Sequence, residues 1–374
     1  MNSTPQDHPA LAAIHELVRK QLVPLAAQID SEGAYPLAFL QQFGAAGGFG
    51  VCIPRKFGGL GLTLADQIRI SGTVGAACGS TAFIVWCQSV SAWYLLHTPN
   101  AATRKRYLRR VGTGELLCGS GMSNAVKHLA GIEKLHLRAR HAGDGYRIDG
   151  VLPWVSNLAD EHLLIAAAEV VGEGYVMFAI HCNAPGVTLN PCPAFSGMEG
   201  TRTLNPRFHG AHIDADAVLA HPHQFGRYLS RIKPGFVLGQ AGMGLGVAEG
   251  CIASIRKFNA GPSVTNEFLD DQEANLGGTM DGLKVRTASL AARVEAGEPA
   301  LLEVLRVRAR TSELALRAAN AAVLHAGARG YLVRSPVQRR LREAVFVAIV
   351  TPALKHLRRE IHDLETASSS AAAA

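Results

Sequence analysis

The spacing of apolar residues predicts helices in the first part of the chain. Between Ala10 and about Arg110, apolar residues recur every three or four positions, which is the period of one helix face. The first stripe is formed by Leu11, Ile14, Leu17, Val18, Leu22 and Leu25. Glycine-rich segments at residues 47–50 and 58–61 interrupt the pattern and predict loops.

The pattern changes near Gly112, where short segments begin to alternate between apolar and polar residues. Alternation with period two is typical of half-buried strands, and the Asp144-Gly145 pair predicts a hairpin turn. Strands are predicted at residues 135–140, 146–148, 175–181 and 208–213. The middle of the chain is therefore expected to be mostly β.

Helical spacing returns after Gly226. The longest stripe there is formed by Leu301, Leu305, Ala309, Ser312, Leu316, Ala319 and Val323. Small residues are frequent on this stripe, and they allow helices to approach closely in a bundle. The residues after Glu365 have no apolar face, so residues 367–374 are predicted to be a disordered tail.

The charge of the chain narrows the choice of ligands. The formal net charge is +7, but the basic residues are scattered and match no nucleic-acid-binding motif. A small molecule that carries phosphate, such as a flavin dinucleotide or coenzyme A, is therefore favoured over nucleic acid. The cluster at residues 339–342 is expected to be a solvated helix face.

Cysteine usage and hydropathy indicate the compartment. The seven cysteines contain no Cys-x-x-Cys pair and no His that completes a zinc pattern, so free thiols and no metal site are expected. The N-terminus lacks the pattern of a signal peptide, and no uninterrupted apolar run is long enough for a membrane helix. These features predict a cytoplasmic protein that does not bind membranes.

Three segments carry short motifs in a fixed order. Residues 53–61 read Ile-Pro-Arg-Lys-Phe-Gly-Gly-Leu-Gly, and residues 149–157 read Asp-Gly-Val-Leu-Pro-Trp-Val-Ser-Asn. Residues 327–331 read Gly-Ala-Arg-Gly-Tyr, and Ser-Pro-Val-Gln-Arg and Leu-Arg-Glu-Ala follow at residues 335–339 and 341–344. From about residue 15 to 362, the order of these motifs resembles that of the acyl-CoA dehydrogenase family.

The resemblance implies an α+β fold that is mainly α. Its expected parts are an N-terminal helical domain at residues 1–112, a middle β-barrel or sandwich domain at residues 113–224, and a C-terminal four-helix bundle at residues 225–366. It also implies FAD as the cofactor, with FMN as the alternative, and a homodimer or homotetramer. The partner is expected to be an electron-transfer protein or a flavin reductase.

A flavin needs an apolar wall for its ring and hydrogen-bond donors where charge builds on reduction. An indole such as Trp154 supplies such a wall, and Ser156, two residues on along a predicted strand, points to the same face. The resemblance places both residues against the flavin ring. The alternative is a buried strand Trp beside a surface Ser. By resemblance, Met122 and Ser123 are also flavin contacts, in the loop where the family has Thr-Glu-Pro.

The dinucleotide part of the cofactor has weaker candidates. Arg256 resembles the family's Arg-x-x-Phe-Gly arginine, which usually reaches the pyrophosphate of a neighbouring subunit, but one residue is missing before Phe258. His325 stands near the family's Gln-x-x-Gly-Gly glutamine, and Gly327 follows it. These departures keep FMN or a loosely bound reduced flavin open.

The usual catalytic base is not found. Dehydrogenation across Cα–Cβ needs a carboxylate that takes the α-proton, and counting from the Leu-Arg-Glu-Ala motif places Thr351 at that position. The second position used in the family, near residues 233–236, has no carboxylate either. Glu199 and Asp160 remain candidate bases. Monooxygenases of this fold often carry a His near the end of the helix that resembles Arg-Asp-Ala, where this chain has Val347 and Val350, and only His356 follows.

The preferred interpretation is a flavin-dependent oxidoreductase that oxidises an acyl thioester of coenzyme A or a carrier protein at Cα–Cβ. The first alternative is a two-component monooxygenase that uses reduced flavin and oxygen on the same fold. The second alternative is a flavin-binding protein that has lost catalysis. An absorbance spectrum separates the first two, because tightly held oxidised FAD is typical of the dehydrogenases.

Overall fold

The computed structural model describes residues 8–261 and 264–373, and the side chains of residues 370–373 lie outside the described part. The first part of the chain is helical. Its helices are α1 (Pro9–Leu17), α2 (Val23–Ser31), α3 (Leu37–Ala45), α4 (Leu64–Ala77), α5 (Gly79–His97) and α6 (Ala101–Gly112). A Thr63–Asp66 capping box starts α4, and almost every residue of α5 is buried. Helix α5 is therefore a core element rather than an amphipathic surface helix.

The middle of the chain forms one eight-stranded sheet. Its strands are β1 (Cys118–Ser120), β2 (Arg138–Ala142), β3 (Gly145–Val151), β4 (Leu163–Val170), β5 (Gly174–His181), β6 (Val187–Pro191), β7 (Leu204–Ile213) and β8 (Val218–Ala220). The order is β6-β7-β3-β2-β4-β5-β8, and β1 pairs with β4 in parallel. Phe178 of β5 meets Phe208 of β7 edge-on at 6.4 Å between ring centroids. Because these strands are not neighbours in the sheet, the sheet must curl around its core.

The short helix α7 (Ser123–Leu129) leaves the sheet after β1, and the last part of the chain is again helical. Its helices are α8 (Pro222–Asn259), α9 (Glu273–Ala296), α10 (Leu301–Ala326), α11 (Pro336–Ile349) and α12 (Leu354–Ala373). Among the residues described, α8 is the single helix long and apolar enough to cross a membrane. Of its most apolar 18-residue stretch, 83% is buried inside the protein. This burial is typical of the central helix of a bundle.

Helix α8 crosses α4 at very short range through glycines. A Cβ on Gly246 would lie 2.2 Å from the carbonyl oxygen of Gly72, and a Cβ on Gly242 would lie 2.5 Å from that of Ile68. Any larger residue there would push the helices apart. The glycines therefore fix the N-terminal helices against the C-terminal bundle.

The fold class predicted from the sequence is confirmed: helices, then a sheet, then helices. Two local predictions differ from the structure. Trp154 and Ser156 lie outside the strands, between β3 and β4. Helix α12 continues to Ala373 through the predicted disordered tail, because alanine favours helix and no glycine or proline interrupts the run. Residue 374 lies outside the described residues.

Candidate functional site

Two candidate flavin-binding segments, residues 118–124 and 152–158, lie side by side at the edge of the sheet. Asn157 donates from Nδ2 to the carbonyl oxygen of Cys118 at 2.9 Å. A Cβ on Gly119 would lie 2.7 Å from the Ser156 carbonyl oxygen, and one on Gly121 would lie 2.9 Å from Leu152 Cδ1. The glycines of the first segment are thus needed for its packing against the second.

Trp154 and Ser156 have the opposite burial from the one expected for a structural strand. Trp154 is 61% exposed, has a left-handed φ of 56°, and touches Phe195 edge-on at 5.9 Å. Ser156 is buried, and its Oγ lies 2.6 Å from Thr203 Oγ1. A buried Trp beside a surface Ser is therefore wrong for this chain. The structure shows an exposed indole beside a buried hydroxyl.

The Ser156 hydroxyl is committed within the chain. Thr201 Oγ1 donates its hydrogen to the Met198 carbonyl oxygen. Because a hydroxyl has one hydrogen, Thr201 must accept from Thr203, and Thr203 must accept from Ser156. Ser156 was expected to donate its hydroxyl hydrogen to a flavin, but the relay already uses that hydrogen. In this arrangement, Ser156 positions its segment and can offer a ligand a lone pair.

The candidate flavin loop contacts the candidate catalytic turn directly. Ser123 Oγ donates to Thr351 Oγ1 at 2.7 Å across 228 positions of sequence. Met122, the residue before, is buried, whereas Ser123 begins α7 and is half-buried. We call this contact the Ser123–Thr351 junction. It brings three predicted site residues together, namely Met122, Ser123 and Thr351.

A series of buried hydrogen bonds supports the backbone at Thr351. Gln240 of α8 donates from Nε2 to the Thr351 carbonyl oxygen at 2.9 Å, and its Oε1 accepts from Arg308 Nε at 2.9 Å. Arg308 is fully buried, donates to the Val347 carbonyl oxygen at 2.6 Å, and bonds Ser312. Burial lowers the pKa of Arg308 to about 10. Its guanidinium also lies at the C-terminal end of α11, where a positive charge is favourable.

A cavity of about 280 Å³ opens between α7, α8 and α12. Its lining includes His356, Lys233 and Glu360, and Lys233 is ion-paired with Glu360. Burial, followed by the charges of Lys355 and Lys127, lowers the pKa of His356, so its imidazole is neutral at pH 7. The cavity therefore holds one neutral imidazole and two carboxylates, Glu360 paired with Lys233 and Asp363 paired with Arg359 at 3.7 Å.

Sequence reasoning passed over Glu360. A signal was present, because His356, Glu360 and Asp363 follow at i, i+4 and i+7 on one face of α12. The other two base candidates lie elsewhere. Glu199 is exposed and packs against Gly33, and Asp160 lies in the exposed turn before β4.

The dinucleotide candidates lie at the far end of the C-terminal helices. Arg256 is sixteen positions beyond Gln240 on α8, roughly 24 Å along the helix axis. Its side chain is 67% exposed and pairs with Glu273 at 2.6 Å. Gly327 ends α10 with φ of 57°. One chain therefore keeps Arg256 and Gly327 apart from the Ser123–Thr351 junction.

His325 is buried in the same region. Its Nδ1 lies 2.9 Å from Asn259 Oδ1, and its Nε2 lies 2.8 Å from the Asp271 carbonyl oxygen. Both ring nitrogens are used inside the chain, so His325 offers none to a flavin in this arrangement. The expected ligand contact is here a structural one.

Exposed apolar side chains surround these candidates. We call them the far-end patch: Val264, Phe268, Leu324, Tyr331, Leu332 and Val333, which are 61–86% exposed. Asn266 donates to the His325 carbonyl oxygen at 3.1 Å and so holds the loop that carries two of them against the end of α10. Large apolar side chains that stay exposed in this number are typical of a protein contact.

Metal chemistry has no support in the described residues. Residues 8–261 and 264–373 contain no group of three His, Cys, Asp or Glu side chains that could hold an ion. The cysteines are free thiols, five buried and two half-buried, and burial raises the pKa of Cys52 to about 12. These thiols are therefore protonated at neutral pH.

Comparison with known proteins agrees with the fold and the motifs. Residues 4–115 match the family model described as acyl-CoA dehydrogenase, N-terminal domain. This part of the chain is similar to the N-terminal domain of the acyl-CoA dehydrogenases. The human short-chain specific acyl-CoA dehydrogenase of mitochondria is 22% identical over 353 residues, which cover 91% of this chain and 85% of that protein.

Solved structures of this family and of monooxygenases share the fold. Butyryl-CoA dehydrogenase from Megasphaera elsdenii superposes with a TM-score of 0.88 at 18% identity and covers 98% of this chain and 99% of its own. A dibenzothiophene monooxygenase from Paenibacillus sp. A11-2 superposes with a TM-score of 0.82 at 18% identity, with 96% of both chains covered. At these identities the comparison shows a shared fold. It does not choose between the two reactions.

Proposed function

We propose that this acyl-CoA dehydrogenase relative binds FAD and oxidises an acyl thioester at Cα–Cβ. The observation that carries the proposal is the Ser123–Thr351 junction, with 2.7 Å between the two hydroxyl oxygens. It joins the loop that resembles the family's flavin loop to the turn that resembles its catalytic turn. Arg256 and the far-end patch are proposed to complete the cofactor site of a second copy in a homodimer or homotetramer.

The residues present fit a flavin at the edge of the sheet. The Trp154 indole is 61% exposed, so it can offer a flat apolar face to a bound flavin ring. Ser123 lies close to that segment through the packing of residues 118–124 on residues 152–158, and its hydroxyl, which donates to Thr351, can offer a bound group a lone pair. A bound flavin would accept the hydride that leaves Cβ of the substrate.

The α-proton needs an acceptor other than Thr351, whose hydroxyl is not a base at neutral pH. His356 lines the cavity between α7, α8 and α12 and carries a neutral imidazole. Glu360 faces the same cavity, but its carboxylate already neutralises Lys233. We therefore assign proton acceptance to His356, with Thr351, whose hydroxyl accepts from Ser123, orienting the substrate by its own hydroxyl hydrogen.

The test is anaerobic mixing of the purified, oxidised flavoprotein with butyryl-CoA and isobutyryl-CoA while flavin absorbance is followed. We expect slow bleaching in the wild type and a further loss of roughly 10²-fold or more in His356→Gln, the range for a general base. Lys355→Gln changes the neighbouring charge and leaves the imidazole, so it serves as the control. Wild-type protein that never bleaches with an acyl thioester would refute the oxidation.

A reduced-flavin monooxygenase is the second candidate, and one observation favours it. The two side chains that meet at the junction are hydroxyls, and no carboxylate is hydrogen-bonded to Ser123 or Thr351 among the residues described. Protein that is purified colourless, binds reduced flavin and consumes oxygen would make this candidate the better one. A protein that binds flavin but does neither reaction would have lost catalysis.

A further inference from the structure

The space behind the Ser123–Thr351 junction is filled by aromatic rings. Phe236 lies one turn before Gln240 on α8, so both face the Thr351 turn. The Phe236 ring lies 5.2 Å from the Trp86 ring and 6.4 Å from the Tyr94 ring, both on α5. Trp86 also donates from its indole nitrogen to the Phe236 carbonyl oxygen at 3.3 Å.

The rings continue to the far side of the turn. Phe83 stacks on Trp86 at 5.5 Å, and Phe346 of α11 meets Phe83 edge-on at 4.7 Å. We call Phe83, Trp86, Tyr94, Phe236 and Phe346 the aromatic cluster. Tyr94 Oη lies 3.2 Å from Ser120 Oγ in the flavin loop, and Phe346 is five residues before Thr351. The cluster therefore spans from one candidate segment to the other.

Little volume remains behind the cluster. The gap between α4, α5 and α8, lined by Trp86, Trp93 and the glycines of α8, has a volume of about 20 Å³. That is enough for about one water molecule. A Cβ on Gly235 would lie 2.5 Å from Trp93, and one on Gly239 would lie 3.2 Å from Trp86. The indoles thus occupy the space that side chains of α8 would otherwise take.

The cavity between α7, α8 and α12 therefore offers room that the aromatic cluster does not. The cavity of about 280 Å³ between α7, α8 and α12 can hold a slender polar chain such as pantetheine. On the side of the cluster, an acyl chain of several methylenes would have to displace the rings of Phe236 and Phe346 and then the Trp86 indole packed behind them. Buried Trp side chains are held by their large contact area, so displacement by a flexible chain is unfavourable.

We propose that the aromatic cluster, and Trp86 and Phe83 in particular, restricts the substrate to acyl thioesters with a short acyl group, of about the size of butyryl. The inference rests on the proposed function, because it specifies the substrate of that same site. Trp86 limits the length of the acyl chain and Phe83 holds the indole in place by stacking.

The test measures binding of butyryl-CoA and octanoyl-CoA to the purified flavoprotein by titration calorimetry. We expect wild-type protein to bind butyryl-CoA and to bind octanoyl-CoA no better. In Trp86→Ala, octanoyl-CoA should gain about tenfold or more in affinity, since each buried methylene contributes a factor of roughly four. Butyryl-CoA should change little. Trp86→Leu provides a smaller opening if the alanine variant unfolds.

A matched control replaces a buried aromatic residue elsewhere. Phe43→Leu lies among Phe39 and Phe49 in the N-terminal helices and should leave the ratio of the two affinities unchanged. The length limit would be overturned if wild-type protein bound octanoyl-CoA more tightly than butyryl-CoA by a factor of roughly four for each of several added methylenes. That result would leave the proposed function intact. Binding of neither thioester by any variant would overturn the proposed function itself.

Discussion

The Ser123–Thr351 junction and the far-end patch differ in how completely one chain builds them. At the junction, Gln240 and Arg308 are fully buried, and each polar group that holds the turn has a partner inside the chain. At the far end, six large apolar side chains are exposed, and Arg256 is paired only at the surface. Folding of a single chain pairs the polar groups of the junction, whereas it leaves the apolar side chains of the far-end patch exposed.

We expect the two regions to contribute different parts of one flavin site, which is complete when two copies assemble. The junction gathers the residues proposed to orient substrate and flavin ring. The far end carries the candidates for the dinucleotide, roughly 24 Å farther along α8. In the proposed homodimer or homotetramer, one copy supplies the junction and a second copy the far end.

The largest expected effect is at Arg308. Arg308→Met leaves the Gln240 side-chain oxygen and the Val347 carbonyl oxygen without their donor in a buried place. We expect the free energy of unfolding to fall by about 2–4 kcal/mol, because unpaired buried acceptors are costly and the relief of burying a charge offsets only part of that. Urea unfolding measures it.

Arg317 offers a matched control on the same helix. It pairs with Asp271 but is 51% exposed, so Arg317→Met should change the free energy of unfolding by less than about 1 kcal/mol. Equal losses in the two variants would show that the buried chain under Thr351 contributes nothing special.

The sequence predicted the layout of the molecule better than its polar connections. Helical and alternating spacing are local, so α1, α10 and four of the eight strands, namely β2, β3, β5 and β7, followed from periodicity. The Ser123–Thr351 contact spans 228 positions, and the partners of Arg308 come from two other helices. No local pattern encodes such contacts. Trp154 was placed on a strand because the motif alternates, but its left-handed φ of 56° cannot be deduced from residue type.

Trp154 should affect ligand binding and not folding. Trp154→Ala removes a ring that is 61% exposed, so stability should change little, while flavin binding should weaken by about 1–3 kcal/mol. Flavin fluorescence titration measures the affinity. Val171→Ala, at an exposed apolar site in the turn after β4, is the control. Unchanged flavin affinity in Trp154→Ala would remove the proposed wall.

His325 should behave in the opposite way. His325→Leu removes two buried hydrogen bonds, to Asn259 and Asp271, and should cost about 1–2 kcal/mol of stability. Flavin affinity per folded molecule should stay the same, because neither ring nitrogen is free. A drop in flavin affinity with unchanged stability would restore His325 as a ligand contact.

The smallest expected effect is at Arg256, and it depends on assembly. Its side chain is 67% exposed and paired with Glu273, so Arg256→Ser should leave the stability of the single chain nearly unchanged. If a second copy uses this guanidinium to hold flavin phosphate, flavin affinity should fall by less than about fivefold, and high salt should reduce the difference.

The fall in flavin affinity should disappear in a variant that cannot assemble. Tyr331→Ser with Val333→Asp disrupts the far-end patch for that purpose, and light scattering reports the mass of the assembly. Arg256→Ser that weakens flavin equally in assembled and dissociated protein would place Arg256 in the site of its own chain, and the division between the two regions would fail.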